Sequence, residues 1–178
     1  ATRTENTIHV HPAADFYGQA TVMIAGRDLE GDASQDQSFT VTITPLNDIP
    51  TLAAIANLTI DEDAAEQIVS ISDINAGGGE LQPLHVTATS SNNSLIADPT
   101  VTYTSGASTG TLKFTPIADQ YGSTTITVTV EDGALDNNLQ TANDNATSSQ
   151  TFNVTVSPVN DAPSVQPVIF HPLENSLF

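Results

Sequence analysis

Residues 124–130, Thr-Thr-Ile-Thr-Val-Thr-Val, alternate polar and apolar side chains, and so do residues 152–156, Phe-Asn-Val-Thr-Val. Successive side chains of an extended chain point to opposite faces. Both runs therefore predict half-buried antiparallel strands, with Ile126, Val128, Val130, Phe152, Val154 and Val156 facing a core. The same rhythm predicts seven strands, near 57–61, 66–72, 84–90, 100–104, 110–115, 123–131 and 148–157. Turn signals separate them at Gly77-Gly78-Gly79, Ser91-Asn92-Asn93-Ser94, Asp98-Pro99 and the Ser/Gly-rich run 105–110. No segment holds an apolar period of 3.6 over three turns, so helices are not expected.

The chain also repeats itself. Pro12-Ala13-Ala14-Asp15-Phe16-Tyr17-Gly18 matches Pro116-Ile117-Ala118-Asp119-Gln120-Tyr121-Gly122 at an offset of 104 residues, which holds to Asp28/Asp132. Phe39 to Pro50 then matches Phe152 to Pro163 at an offset of 113, so the later copy carries nine extra residues in the loop 132–149, expected to be exposed and mobile. Three segments follow: 1–50 as the C-terminal half of a repeat, 51–163 as a complete repeat, and 164–178 as the start of a following repeat or a tail. Leu173-Glu174-Asn175 falls roughly where Ile60-Asp61-Glu62 falls after Pro50. Seven short strands in the complete repeat predict an all-β, Greek-key, seven-stranded sandwich of the immunoglobulin type, without the Cys pair and core Trp of antibody domains. Neither flanking fragment can bury a core alone. Arrays of this kind act as spacers, stalks or binding surfaces.

Composition narrows the function. Three Lys and Arg face 21 Asp and Glu, a formal net charge of −18 in 178 residues. Nucleic acid and anionic lipid both need a basic surface, so neither is an expected partner. Most carboxylates have no basic partner to pair with, and a solvated acidic surface is the ordinary outcome. Cysteine is absent, which excludes disulfides and thiolate metal sites. No run approaches the roughly 20 apolar residues of a membrane span, so direct membrane insertion is not expected.

Several acids are clustered. Pro45-Leu46-Asn47-Asp48-Ile49-Pro50 and Pro158-Val159-Asn160-Asp161-Ala162-Pro163 each hold an Asn-Asp pair between prolines, which stiffen the connection. Asp61-Glu62-Asp63, Ser72-Asp73-Ile74-Asn75 and Glu131-Asp132-Gly133 lie at predicted strand ends. Hard cations such as Ca²⁺ take 6–8 oxygen ligands from such groups. Asn and Asp also form turns through their own side chains, which is the alternative role for both linkers and for Asp15 and Asp119.

On the run Pro-x-Ala-Asp-x-Tyr-Gly, a Thr/Val strand ending in Asp, and Phe-x-Val-Thr-Val-x-Pro-Val-Asn-Asp-Ala-Pro, the chain resembles the cadherin-like tandem repeats of large bacterial surface and secreted proteins. The resemblance implies Ca²⁺ between successive repeats. It implies one junction inside the chain, where Asp15, Asn47 and Asp48 meet Asp73, Asn75 and Asp132. A second, incomplete junction would use Glu62, Asp119, Asn160 and Asp161. Asn75 stands where the family has an acid, and Asp15 and Asp119 have a nearby Tyr in place of a second carboxylate, which implies weaker binding or fewer ions.

Other chemistry is thin. His9, His11, His85 and His171 show no metal-ligand spacing, no Gly-x-Ser-x-Gly elbow is present, and Gly77-Gly78-Gly79 lacks the Lys-Ser/Thr of a phosphate loop. The expected function is a non-enzymatic, extracellular structural module of a long surface or fibre protein, with neighbouring repeats of the same protein as partners. Two alternatives are self-assembly by strand exchange between half-repeats and a module for a glycan or other cell-surface ligand. The latter would need exposed aromatics, for which Tyr103 is the candidate.

Overall fold

The computed structural model describes residues 7–26, 30–31, 35–141 and 143–163; Asp28, His171 and the segment 164–178 lie outside them. Every element in it is a strand. In chain order these are β1 (Gly18–Ile24), β2 (Gln37–Ile43), β3 (Leu58–Asp61), β4 (Gln67–Ser72), β5 (Leu84–Ser90), β6 (Thr100–Thr102), β7 (Thr109–Phe114), β8 (Gly122–Asp132) and β9 (Thr147–Ser157). The last seven form a sandwich: a four-stranded sheet in the order β3-β9-β8-β5 and a three-stranded sheet in the order β4-β7-β6. All pairings are antiparallel except β3 with β9, which run parallel. The observed fold is the all-β, Greek-key sandwich that the alternation predicts, with strand ends within a residue or two of the expected ones.

The alternation builds the core directly. Along β8, Ile126, Val128 and Val130 are fully buried, and β9 supplies Phe152, Val154 and Val156 from the neighbouring strand. Ile71 and Leu112 close the core from the opposite sheet, and Ile96 plugs it from the loop after β5. Tyr103 packs against the edge of this cluster, half-buried. Burial pushes its phenol pKa up against an opposing pull from the Gly106 backbone. It is therefore a flank of the core, not an exposed aromatic platform.

Two features carry the core to the poles of the sandwich. First, the inward phase of β8 does not stop at Val130, and its next inward position is Asp132, fully buried. Second, the chain changes sheets just after the linker. Thr51 N–H donates to Asn75 O (2.8 Å) and Ala53 N–H to Ser72 O (3.0 Å), beside the end of β4, before β3 crosses to β9. Pro50 is buried there, which ties residues 44–50 to the pole where β8 ends.

β1 and β2 form a separate antiparallel pair, in register from Gly18↔Ile43 to Ile24↔Gln37. Phe39 in this pair occupies the repeat position of Phe152 but is 42% exposed, against 2%. Substitution separates the two environments. Phe152→Ala is expected to cost about 3–5 kcal/mol, because it leaves a cavity in a close-packed core. Phe39→Ala should cost roughly 1 kcal/mol or less. Urea midpoints of the two variants check this, and equal losses would contradict the exposed position of Phe39.

Candidate cation sites at the two poles

At the linker pole, where β8 ends, the connections centre on Asn47. Its amide Nδ2–H donates to both oxygens of Asp132 at 3.3 Å and to Asp144 O at 3.4 Å. Asp132 Oδ1 also accepts the backbone N–H groups of Ala134 (3.1 Å) and Ala146 (2.9 Å). On the other side of Asn47, Gln82 Nε2–H donates to Asn47 Oδ1 at 2.7 Å and to Glu80 Oε2 at 3.0 Å. Glu80 Oε2 accepts the backbone N–H of Asp48 at 3.2 Å. Linker residues 47 and 48 are thus gripped from one side by Asp132 and from the other by Glu80 and Gln82. Gln82 Oε1 and Asn145 Oδ1 are shut off from solvent without a protein partner. Asp15, Asp48 and Glu80 line one cavity of about 160 Å³ beside this network.

Gly77 and Gly78 let the linker approach so closely. Both have positive φ (90° and 45°). A Cβ on Gly77 would stand 2.5 Å from Ile49 O and 2.9 Å from Asp48 Cβ, and one on Gly78 would meet the Asp48 carboxylate. The triple glycine is a cradle for the linker. Asp73 and Asn75 are placed differently. Both are exposed; Thr51 Oγ1–H donates to Asp73 O at 2.6 Å, the Asn75 amide contacts Thr51 Oγ1, and Asn75 Oδ1 accepts Gly77 N–H at 2.9 Å. These two residues shape the turn that starts the cradle, and their hydrogen bonds go to Thr51 and Gly77 rather than to Asn47, Asp48 or Asp132.

The distal pole, at the start of β8, gathers carboxylates. Single oxygens of Asp63, Asp119 and Asp161 lie within 4.8 Å of one another, all three residues exposed. That distance is twice a Ca²⁺–oxygen bond of about 2.4 Å, so one hard cation can bridge them. Asp63 and Asp119 hold left-handed backbone angles (φ 61° and 57°), and Asp119 N–H donates to Asp63 Oδ1 at 3.1 Å. Asp15 has the same angle (59°) at the matching turn of the first copy. Asp tolerates this region better than most residues, so turn-forming and ligand geometry coincide at both positions. Glu62, buried beside this cluster, accepts Val159 N–H at 2.7 Å and fastens the start of the second linker to the end of β3. Asn160 is exposed, its amide 3.4 Å from Asp161 O. Among the described residues the one ion pair is Lys113–Glu66, and it includes none of these carboxylates.

The structure therefore brings Asn47 to Asp132, Asp15 and Asp48 to one cavity, and Asp119 to Asp161. Sequence reasoning did not single out Glu80 and Gln82, and treated Asp63 only as a neighbour of Glu62. Residues 80 and 82 lie in no strand, and no strand period or acidic run in the sequence marks them.

No protein-family model and no curated protein matches the chain. Among solved structures, domains EC1-2 of human mucin-like protocadherin are similar over 86% of this chain and 74% of that one, with 13% identity and a TM-score of 0.50. Domains 4 and 5 of the S-layer protein SbsC match 78% of this chain at 15% identity and a TM-score of 0.42, and the chain spans 65% of that pair. The endo-fucoidan hydrolase MfFcnA4 matches 83% of this chain at 16% identity and a TM-score of 0.41, the chain spanning 20% of it. At such identities the protocadherin likeness establishes the fold, an all-β sandwich, and nothing of the chemistry.

The cradle has a direct test. Gly77→Ala puts a side chain into the Ile49 carbonyl as well as at positive φ, whereas Gly79→Ala meets nothing within 4 Å and adds only backbone strain. Gly79→Ala is expected to cost about 1 kcal/mol, and Gly77→Ala more, with faster amide exchange at 44–50 in that variant alone. Equal effects would mean that the linker does not rest on the cradle.

Proposed function

We propose that this chain is a structural module of a long extracellular or surface protein, built of tandem sandwich repeats whose linkers are stiffened by bound Ca²⁺. The observation that carries the reading is the triad Asp63, Asp119 and Asp161 beside the second linker. In a chain with three Lys and Arg against 21 acids, three carboxylates held this close repel one another until a cation neutralises them. Glu62, which already holds that linker, and Asn160 complete the oxygen-rich surroundings. The cavity lined by Asp15, Asp48 and Glu80, with Asn47 and Asp132 behind it, is the matching candidate at the linker pole.

The function is mechanical. A cation that ties carboxylates from a strand end, a turn and a linker removes the swivel between one repeat and the next, so a flexible string becomes a rod. Neighbouring repeats are then the partners, and millimolar extracellular calcium is the natural condition. The fold match to protocadherin domains and the internal repeat both support an array, and nothing in the described sites assembles a nucleophile with a base.

An ion that binds the folded state alone stabilises it by mass action, about 2.7 kcal/mol at a concentration 100 times its Kd. Calcium titrated into EGTA-treated protein is expected to raise the melting temperature saturably, with magnesium giving little. Asp119→Asn and Asp161→Asn should each shrink the rise. A flat titration, or an equal response to magnesium, would sink the calcium reading and leave the acids as a solvated surface.

A further inference from the structure

Two cavities of unlike chemistry meet at the loop that follows Gly79. One is the acidic cavity of about 160 Å³ that Asp15, Asp48 and Glu80 line. The other is a groove of about 270 Å³ with Tyr17, Leu81 and Leu135 on its apolar side and Glu80 and Gln82 on its polar side. Tyr17, Pro45 and Glu80 border both, so the two share a wall. Leu81 is 98% exposed and Tyr17 64%, so neither serves the core. Tyr121, the repeat counterpart of Tyr17, is 67% exposed within the complete repeat, so an open tyrosine at this turn is a property of the repeat. Gln82 is the opposite case. It is 8% exposed, its Nε2–H groups go to Asn47 and Glu80, and its Oε1 meets no donor. Three carboxylates and one buried amide oxygen thus offer acceptors here, and among the described residues none of the three carboxylates has a basic partner.

We infer that this double cavity binds an arginine and an aliphatic residue two positions apart on an extended segment of a partner protein. The guanidinium enters the acidic cavity and the aliphatic side chain enters the groove. Pockets for drug-sized molecules run to about 300–1,000 Å³, so cavities of this size each suit one side chain. Side chains two apart on an extended segment share a face and lie about 6.4–6.8 Å from each other, which fits two cavities with a common wall. A guanidinium presents five donors in a plane to the carboxylates and to Gln82 Oε1, and it stacks on an aromatic ring such as Tyr17. A metal ion would use the carboxylates and leave the apolar groove empty. A second copy of the chain is a poor occupant. It carries three Lys and Arg, and the one among the described residues, Lys113, is paired with Glu66. At a net charge of −18 two copies repel, whereas a basic segment is drawn in. The inference goes beyond the calcium reading and does not rest on it, since the triad Asp63, Asp119 and Asp161 takes no part.

The test uses the full chain in EGTA at about 0.15 M salt, where long-range attraction between exposed charges is largely screened. The probe is a dye-labelled peptide, Gly-Ser-Arg-Ser-Leu-Ser-Gly, followed by fluorescence anisotropy. Citrulline in place of its arginine keeps the shape and removes the charge, and is expected to weaken binding at least ~10-fold. Tyr17→Ala and Leu81→Ala, at exposed positions outside the core, should each weaken binding about 5-fold at an unchanged melting temperature. The peptide with serine in place of leucine should lose as much, with no further loss against Leu81→Ala. No binding at millimolar peptide overturns the inference. So does equal binding of the citrulline peptide, or binding that Tyr17→Ala and Leu81→Ala leave unchanged, which would put the peptide elsewhere on the acidic surface. Because calcium is absent throughout, each result is independent of the melting-temperature titration.

Discussion

The constraint on which the arrangement depends is the inward phase of β8. Alternation places Ile126, Val128 and Val130 in the core and then, two residues on, leaves Asp132 in the same phase with no solvent contact. A buried carboxylate must be matched by donors or it costs several kcal/mol. Ala134, Ala146 and the amide of Asn47 supply them. Two of these donors fold the long loop back over the pole, and the third comes from the linker. The polar end of an apolar strand is therefore one of the points that hold the linker to the sandwich.

Once Asn47 is committed to Asp132, the opposite face of the linker has to be satisfied too. Gln82 and Glu80 do so, and they reach it only because Gly77 and Gly78 bring the loop within contact of Asp48 and Ile49. The inserted loop 132–149 also changes character in this light. Its middle is exposed, but Gly133 and Ala134 are buried and Asn145 Nδ2–H donates to Glu131 at 2.9 Å, so its two ends are structural parts of the pole.

The sandwich was legible because period-two alternation in Val, Ile and Thr, interrupted by Gly, Asn and Pro, leaves few other ways to bury a core. The grouping of Asp119 with Asp161 came from the resemblance to cadherin-like repeats and not from the alternation. The structure gives a physical reason for their nearness: one precedes β8, the other follows β9, and antiparallel pairing brings those ends together. Glu80 and Gln82 were not legible, because no strand period reaches them and their role is set by where the linker lands. Asp73 and Asn75 share the linker pole with Asn47, but their hydrogen bonds go to Thr51 and Gly77. Nearness in sequence to a strand end does not fix the direction of a side chain at a turn.

Both poles assemble the same motif. At the linker pole Asn47 and the backbone of Asp48 are held by Asp132, Gln82 and Glu80, while Asp48 and Asp15 line one cavity. At the distal pole Asp161 lies beside Asp119, the repeat counterpart of Asp15, and beside Asp63. Asp161 stands to Asp119 as Asp48 stands to Asp15, so the carboxylate pair belongs to the repeat that precedes each linker. The grip on Asn47 and Asp48 comes instead from Glu80, Gln82 and Asp132, all in the repeat that follows the linker. A linker of this kind is therefore held from both of the repeats it joins.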